Sequence, residues 1–289
     1  MSETTLETAP RVAAFAPQDS APSQNGAGMT VGAPAIPDLD EHLVSVLSPY
    51  SFEADQYRIL RHFLEPRSGA ARRQVLGITS PTAGDGKTTT AVNLAVTLAQ
   101  LPGARVLLID GDVRRPFVAA RLGLAGDRRP GLAATALDPH LGLDKLVRRT
   151  SFNLDVVPAG APTTNAYRVF DSERVGQLLE EARGTYDHIV VDTPPVLLVP
   201  DCRFMAQWVD GFLIVVAAHR TPRKLVADAL SAVGEDKALG IVFNGDDRPL
   251  SGHFGKYQGY YGYYQQSANR QRSWWRFPWR RAAEGRPQR

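Results

Sequence analysis

The sequence predicts an α/β fold with a mostly parallel central sheet flanked by helices on both faces. Short apolar runs alternate with helical stretches, and the longest apolar runs are typical of strands covered on both sides. The chain has 289 residues, 43% of them hydrophobic, which suffices for one large domain plus tails. Strands are predicted near 74–79, 105–110, 154–158, 186–192, 211–217 and 238–244, and helices near 88–101, 172–183 and 222–233.

Composition divides the chain into three parts. Residues 1–40 are rich in Ala, Pro, Ser, Thr and Gly, which predicts a disordered N-terminal tail. Residues 41–248 form the predicted domain, and 249–289 form a flexible C-terminal tail. A lone cysteine, Cys202, excludes an intrachain disulfide and fits a reducing compartment and buried packing. With no apolar run of membrane-spanning length and no signal-peptide pattern, we expect a soluble, cytoplasmic protein.

The stretch from Val75 to Asn93 indicates a phosphate-binding loop between a strand and a helix. Two glycines permit a tight turn, and the following helix contributes the positive end of its dipole. Lys87 is placed to reach the β and γ phosphates, and the Thr88 hydroxyl to bind Mg²⁺. Pro81 stands where the usual first glycine belongs, and an ordinary helix start is the alternative. The predicted nucleotide-binding set is Ala83, Gly84, Asp85, Gly86, Lys87, Thr88 and Thr89.

Aspartates follow two other apolar runs. The run V-L-L-I precedes Asp110 and Asp112, and the run H-I-V-V precedes Asp192. Because the carboxyl ends of parallel strands meet at one sheet edge, these carboxylates are expected to face the phosphate loop, where Mg²⁺ needs oxygen ligands. For any one aspartate, a turn or capping role is the alternative.

Together the three motifs resemble Walker A, Walker A′ and Walker B of the bacterial tyrosine kinases that control capsule and exopolysaccharide synthesis. Walker A′ ends in D-x-D-x-R, matched through Arg114, and Walker B in D-x-x-P, matched through Pro195. The related ParA and MinD ATPases carry a signature lysine where this chain has Thr82. The resemblance implies a P-loop NTPase fold and the cofactors ATP and Mg²⁺.

Residue roles follow from the resemblance and the chemistry of phosphoryl transfer. The catalytic set is expected to be Lys87, Asp110, Asp112 and Asp192, and the metal set Thr88, Asp112 and Asp192. Asp110 is the candidate for deprotonating a tyrosine hydroxyl, a duty exchangeable with that of Asp112. Asn244 is a candidate for contacting the adenine base, and a turn role is its alternative.

The stretch from Ser48 to Leu64 predicts an amphipathic helix that carries Asp55, Arg58 and Arg61 along one face. The family has E-x-x-R-x-x-R here and uses it to join subunits into a ring, so the resemblance implies a ring-shaped homo-oligomer. A solvated face with one local ion pair is the alternative. The loop 160–165 also resembles the family, although Ala166 replaces its proline.

The C-terminal tail holds five of the nine tyrosines within eight residues: Tyr257, Tyr260, Tyr261, Tyr263 and Tyr264. The family phosphorylates such a cluster between subunits; aromatic low-complexity sequence is the alternative. From residue 250 onward there are eight Lys and Arg against one acidic residue, Glu284. Interleaved Arg and Trp suit an anionic surface, and we expect the inner membrane rather than nucleic acid.

The resemblance further implies a separate transmembrane activator of the polysaccharide co-polymerase type. Two other functions remain open on the sequence. One is a ParA/MinD-like ATPase switch, against which Thr82 and the tyrosine cluster argue. The other is a non-catalytic interaction protein on the same fold, suggested by the departures at Pro81, Asp55 and Ala166.

Overall fold

The computed structural model describes residues 39–64, 74–138 and 140–246, and the backbone of a strand at Arg11–Phe15. The described residues all belong to a unit spanning Met1–Asp247. The predicted tyrosine cluster and the basic tail lie outside the described residues. Among the described residues, no helix combines the length and apolar character needed to cross a membrane.

Eight strands of the described chain form one sheet in the order β1-β8-β7-β2-β6-β3-β5-β4. All pairings are parallel except that of β4 with β5, so the predicted fold class is confirmed. The strands are β1 Arg11–Phe15, β2 Gln74–Thr79, β3 Val106–Asp110, β4 Arg148–Arg149, β5 Leu154–Val157, β6 His188–Asp192, β7 Gly211–Ala217 and β8 Ala238–Asn244.

The six predicted strands are present, with bounds within two residues of expectation. Two edge strands were not predicted. One is the two-residue β4, and the other is β1, which lies inside the segment expected to be a disordered tail. β4 has only two residues, too few for the apolar run by which the internal strands are recognised, and β1 lies in a stretch rich in Ala, Pro, Ser, Thr and Gly.

The described helices are α1 Val44–Leu47, α2 Phe52–Leu64, α3 Lys87–Ala99, α4 Val118–Arg121, α5 Leu143–Leu146, α6 Ala166–Phe170, α7 Glu173–Thr185, α8 Asp201–Met205 and α9 Arg223–Val233, with a 3-10 helix at Leu132–Ala136. The predicted helices correspond to α2, α3, α7 and α9. Ser172 caps α7, its hydroxyl accepting a bond from the Arg174 amide, while Pro222 precedes the first turn of α9. The additional short helices carry too few turns for a periodic apolar pattern.

Hydrophobic cores lie on both faces of the sheet because successive strand residues point to opposite sides. On one face, Leu76 and Ile78 of β2 belong to a cluster that includes apolar residues of α2 and seven apolar residues of α3. On the other, Val75 of β2 packs in a cluster that includes residues of α6, α7 and α8. This two-sided covering confirms the layered arrangement expected from the continuous apolar strands.

The central strands bring the motifs together. β2, which leads into the phosphate loop, pairs with β6 on one side and β7 on the other. β3 pairs with β6 so that Asp110 lies directly opposite Asp192. The carboxyl ends of β2, β3, β6, β7 and β8 therefore meet at one edge, which is where ligands bind in such sheets.

Candidate functional site

The phosphate loop turns sharply between β2 and α3. Gly84 has φ of 83° and Gly86 has φ of 96°, values in the left-handed region that residues with a Cβ disfavour. Gly86 is also the residue before the first turn of α3, and no side chain caps that helix. The amides at the start of α3 are thus available to an anion, as the predicted phosphate-binding role of this loop requires.

The Asp85 side chain accepts hydrogen bonds from within the phosphate loop and from the segment that follows β7. Its Oδ2 accepts hydrogen bonds from the Thr82 amide at 2.8 Å and the Thr82 hydroxyl at 2.9 Å. Its Oδ1 accepts a 2.7 Å bond from the hydroxyl of Thr221, which follows β7. Thr82, at the position of the ParA and MinD lysine, is therefore engaged within its own loop.

Two further side chains bond the carbonyls of this turn. Asn244 Nδ2, at the end of β8, donates to the Asp85 carbonyl at 3.0 Å, and Arg220 Nη2 donates to the Gly84 carbonyl at 2.7 Å. A Cβ added to Gly86 would lie only 1.8 Å from Asn244 Nδ2. Sequence reasoning missed Arg220 and Thr221. The available signal was their position just after β7, at the edge where the site was expected.

Lys87 lies among the predicted carboxylates. Its Nζ is 3.1 Å from Asp112 Oδ2 and 3.9 Å from Asp192 Oδ1, and it is largely buried. Burial acts against the charged ammonium, but the Asp192 and Asp112 carboxylates outweigh it, so the pKa of Lys87 is raised. The side chain therefore stays protonated, the state in which it attracts phosphate oxygens.

Thr88 and Asp192 are in direct contact, since the Thr88 hydroxyl donates a 2.7 Å hydrogen bond to Asp192 Oδ2. Burial raises the pKa of the Asp192 carboxyl, against the opposing influence of Lys87 and the Thr88 hydrogen bond. The other oxygen, Asp192 Oδ1, is buried without a hydrogen-bond partner. A buried acceptor of this kind can receive a ligand bound in the site.

Asp110 is fully buried, and both of its oxygens are engaged by backbone amides. Oδ1 accepts from Asp112 at 3.2 Å and Oδ2 from Val118 at 3.1 Å. Burial, together with the charge of Asp192, raises the pKa of the Asp110 carboxyl well above its usual range. Asp112 is nearer the phosphate loop. Its Oδ2 accepts a hydrogen bond from Lys87 Nζ, and its Oδ1 accepts one from the Arg115 amide at 3.1 Å.

The charges of this cluster fit a divalent cation. Three carboxylates, from Asp110, Asp112 and Asp192, are buried beside one ammonium, from Lys87. Ionising all three carboxyl groups would leave an excess of buried negative charge, which is costly without a compensating cation. No group of three His, Cys, Asp or Glu side chains within the described ranges forms a metal cage by itself. Mg²⁺ usually takes few protein ligands beside phosphate oxygens and water.

Arg114 makes a contact within its own chain. Its Nε and Nη2 bond the two oxygens of Asp201 at 2.6 and 3.0 Å, and its Nη1 donates to the Thr164 carbonyl at 3.2 Å. Arg114 thereby connects the Walker A′ loop to α8 and to the loop 160–165. Ala166, at the position of the family's proline, is buried at the start of α6.

The α2 residues predicted to join subunits also have contacts within the chain. Arg58 forms an ion pair with Asp55, one turn away, and bonds the Pro49 carbonyl. Arg61 Nη1 donates to the Thr97 carbonyl of α3 at 3.0 Å. The local ion pair considered on the sequence is therefore present. Contact with a second subunit stays a prediction.

Cys202 is buried, and its sulfur lies 3.6 Å from the hydroxyls of Thr79 and Thr193. Burial raises the pKa of the thiol, so it stays protonated. The packing role expected for this residue is confirmed, because a buried neutral thiol is a poor nucleophile.

The fold and the phosphate loop define a P-loop nucleotide-binding protein, and a family model described as an AAA domain matches residues 73–221. Tyrosine-protein kinase YwqD of Bacillus subtilis is 33% identical over 226 residues, covering 78% of this chain and 92% of that protein. The chain belongs to the bacterial tyrosine kinase family.

A solved structure and a longer relative extend this comparison. The kinase domain of the Escherichia coli tyrosine kinase ETK is 26% identical with a TM-score of 0.67, covering 73% of this chain and 83% of that domain. The succinoglycan biosynthesis transport protein ExoP of Rhizobium meliloti is 31% identical over 224 residues. These residues cover 75% of this chain but 28% of ExoP, so the similarity concerns one part of that protein.

Proposed function

We propose that this chain is an ATP-dependent protein tyrosine kinase that phosphorylates its own C-terminal tyrosine cluster between subunits. The observation that carries the proposal is the convergence of Lys87, Thr88, Asp112 and Asp192 within hydrogen-bonding or ion-pair distance beside a glycine turn. Phosphoryl transfer depends mainly on alignment and on neutralising charge, and these groups supply both.

Each side chain has a role in this mechanism. Lys87 moves away from Asp112 and neutralises charge on the β and γ phosphate oxygens. The amides of residues 83–88 hold the same phosphates. Thr88 and Asp192 would hold the metal ion, whereas Asp112, a metal candidate on the sequence, is left for the proton-accepting role described below. Mg²⁺, when bound, supplies positive charge that offsets the developing negative charge on the phosphoryl group.

The incoming tyrosine hydroxyl needs a group that orients it and accepts its proton. Asp110 was the first candidate, but its oxygens bond two backbone amides in the interior. Asp112 Oδ2, by contrast, becomes free once Lys87 turns to phosphate. We therefore assign the proton-accepting role to Asp112 and give Asp110 the role of holding the Asp112 loop.

The acceptor hydroxyls are those of residues 257–264 in the C-terminal tail. The described chain ends at Asp246, two residues after the carboxyl end of β8, on the edge of the sheet that carries the site. We propose that, in an assembly formed through α2, the tail of one subunit is the substrate of another.

We further propose that the kinase acts in exopolysaccharide or capsule export with a separate membrane partner of the polysaccharide co-polymerase type. The similarity to part of ExoP supports this link. The basic and aromatic residues beyond the tyrosines would add contact with the anionic inner membrane surface. Charge reversal at Arg276, Arg280 and Arg281 is expected to abolish binding to anionic liposomes.

Peptide mass spectrometry after incubation with Mg-ATP tests the proposal. The wild type should carry phosphate on tyrosines between Tyr257 and Tyr264, and Lys87→Met should carry none while keeping its fold by circular dichroism. Equal phosphorylation in both proteins would contradict the assignment of Lys87. ATP hydrolysis without tyrosine phosphorylation, even with the membrane partner added, would instead support an ATPase switch of the ParA and MinD type.

A further inference from the structure

The outer side of the phosphate loop is bonded to the ends of β7 and β8. An anion-binding turn needs its amides to face the ligand, so its carbonyls point away. In this chain the two outward carbonyls, of Gly84 and Asp85, accept bonds from Arg220 and Asn244. The Asp85 carboxylate, on the same side, accepts from Thr221.

We propose that Thr221 and Asn244 are positioning residues that hold the turn Gly84–Gly86 in its phosphate-binding conformation. Their bonds come from the protein alone and therefore need no bound nucleotide to form. Arg220 adds a third bond, but its side chain is exposed, and water competes for it. We call the pair Thr221 and Asn244 the P-loop latch. The inference rests on the proposed function in that the loop binds nucleotide phosphates.

Burial makes the Thr221 contact the stronger member of the latch. Asp85 is only 3% exposed, and its carboxylate depends on protein donors: the Thr82 amide and hydroxyl, and the Thr221 hydroxyl. A hydrogen bond to a charged group contributes more than a neutral one, and loss of its donor leaves a buried charge short of a partner. The turn is then free to rotate its amides away from the phosphates.

The Asn244 contact gives a second reason for glycine at position 86, beside the backbone conformation of the turn. The positive φ of Gly86 disfavours other residues, and the Asn244 amide fills the space that a Cβ would need. The amide is therefore packed against the loop as well as bonded to it. This places Asn244 as a support of the phosphate site, separate from any contact with the base.

Thr221→Val and Thr221→Ser form the matched pair for the test. Valine keeps the shape of threonine without its hydroxyl, whereas serine keeps the hydroxyl that bonds Asp85 and the Ala217 amide. We expect Thr221→Val to weaken binding of Mg-ATP about tenfold, as loss of a bond to a buried charge implies, and Thr221→Ser to bind like wild type. Without nucleotide, hydrogen exchange of the amides of residues 83–88 should be faster in Thr221→Val than in wild type or Thr221→Ser.

Inorganic tripolyphosphate separates the latch from a base contact at Asn244. Asn244→Ala should weaken binding of tripolyphosphate and of ATP by similar factors and speed amide exchange in the same residues. Weaker binding of ATP alone would mean that Asn244 acts only on the base, and would remove it from the latch.

The latch is overturned if Thr221→Val shows the exchange rates and affinities of wild type. If Thr221→Val does not fold, amide exchange of residues 83–88 is measured in Asn244→Ala. Faster exchange than in wild type supports the latch, and an unchanged rate overturns it. Should wild type bind neither ATP nor tripolyphosphate, the proposed function fails, whereas the exchange comparison between the valine and serine variants still tests the latch by itself.

Discussion

Thr88 at the start of α3 donates a 2.7 Å hydrogen bond to Asp192 at the end of β6. The bond joins the phosphate loop to the Walker B strand through two side chains that are both buried. Because Asp192 also lies opposite Asp110 in the sheet, this contact connects the hydroxyl expected to bind Mg²⁺ with the whole carboxylate cluster.

Thr88→Val should lose both stability and phosphoryl transfer. It removes the donor to Asp192 and leaves that carboxylate short of a partner, which costs about 1–3 kcal/mol of unfolding free energy. It also removes the predicted metal-binding hydroxyl, so transfer should become weak at every Mg²⁺ concentration. Thr88→Ser is the control and should resemble wild type in urea unfolding and in a Mg²⁺ titration of autophosphorylation. A fully active valine variant would contradict the metal role.

Asp192→Asn should stabilise the nucleotide-free protein at neutral pH while impairing transfer. The pKa values of Asp110 and Asp192 are raised in the folded state, so the folded protein binds more protons than the unfolded chain. Stability is therefore lost as pH rises from the usual carboxyl range through the raised pKa values. Asp192→Asn removes one buried negative charge beside Asp110 and Asp112, and the reduced repulsion should stabilise the folded protein by about 1 kcal/mol.

Urea midpoints of wild type and Asp192→Asn measured from about pH 4 to about pH 8 test this. The advantage of the variant should be small at the acidic end and grow toward the alkaline end. Parallel profiles would show that the cluster carries no excess charge in the folded protein.

Arg114→Ala should destabilise the fold because Asp201 is 1% exposed and would lose its guanidinium partner. Removing one member of a buried pair costs about 3 kcal/mol, reduced here because Arg114 is partly exposed. Arg114→Lys should recover only part of the loss, since an ammonium cannot bond both oxygens in a planar fork. A double-mutant cycle with Asp201→Ala measures the coupling by urea unfolding, and additive effects would contradict the pair.

The two α2 arginines should respond differently to substitution. Arg61 donates to the Thr97 carbonyl of α3, so Arg61→Ala should lower thermal stability. Among the described residues, Arg58 bonds Asp55 within α2 and the Pro49 carbonyl just before it, so Arg58→Glu should act mainly on assembly. Analytical ultracentrifugation should show a smaller particle for Arg58→Glu. An unchanged mass would mean that α2 does not join subunits through this residue.

Much of the fold was predictable because the internal strands carry strong local signals. β7 consists of seven buried residues in sequence, and its predicted bounds match the observed ones. The roles of the site residues were less predictable. Asp110 and Asp112 are two positions apart in sequence, and only their hydrogen bonds distinguish their roles. Asp110 is bonded by backbone amides in the interior, whereas Asp112 lies beside Lys87. Burial depth of individual polar groups is not encoded in strand periodicity.

The sequence by itself determined the internal strands, the four longest helices, the glycine turn and the aspartates at the strand ends, because apolar patterns and glycine act over a few residues. Only the tertiary structure decided which side chains support that turn. Asn244 and Thr221 reach Asp85 from 159 and 136 positions away, and Asp201 reaches Arg114 from 87. Such contacts depend on the order of strands in the sheet, a global packing result that no local pattern contains.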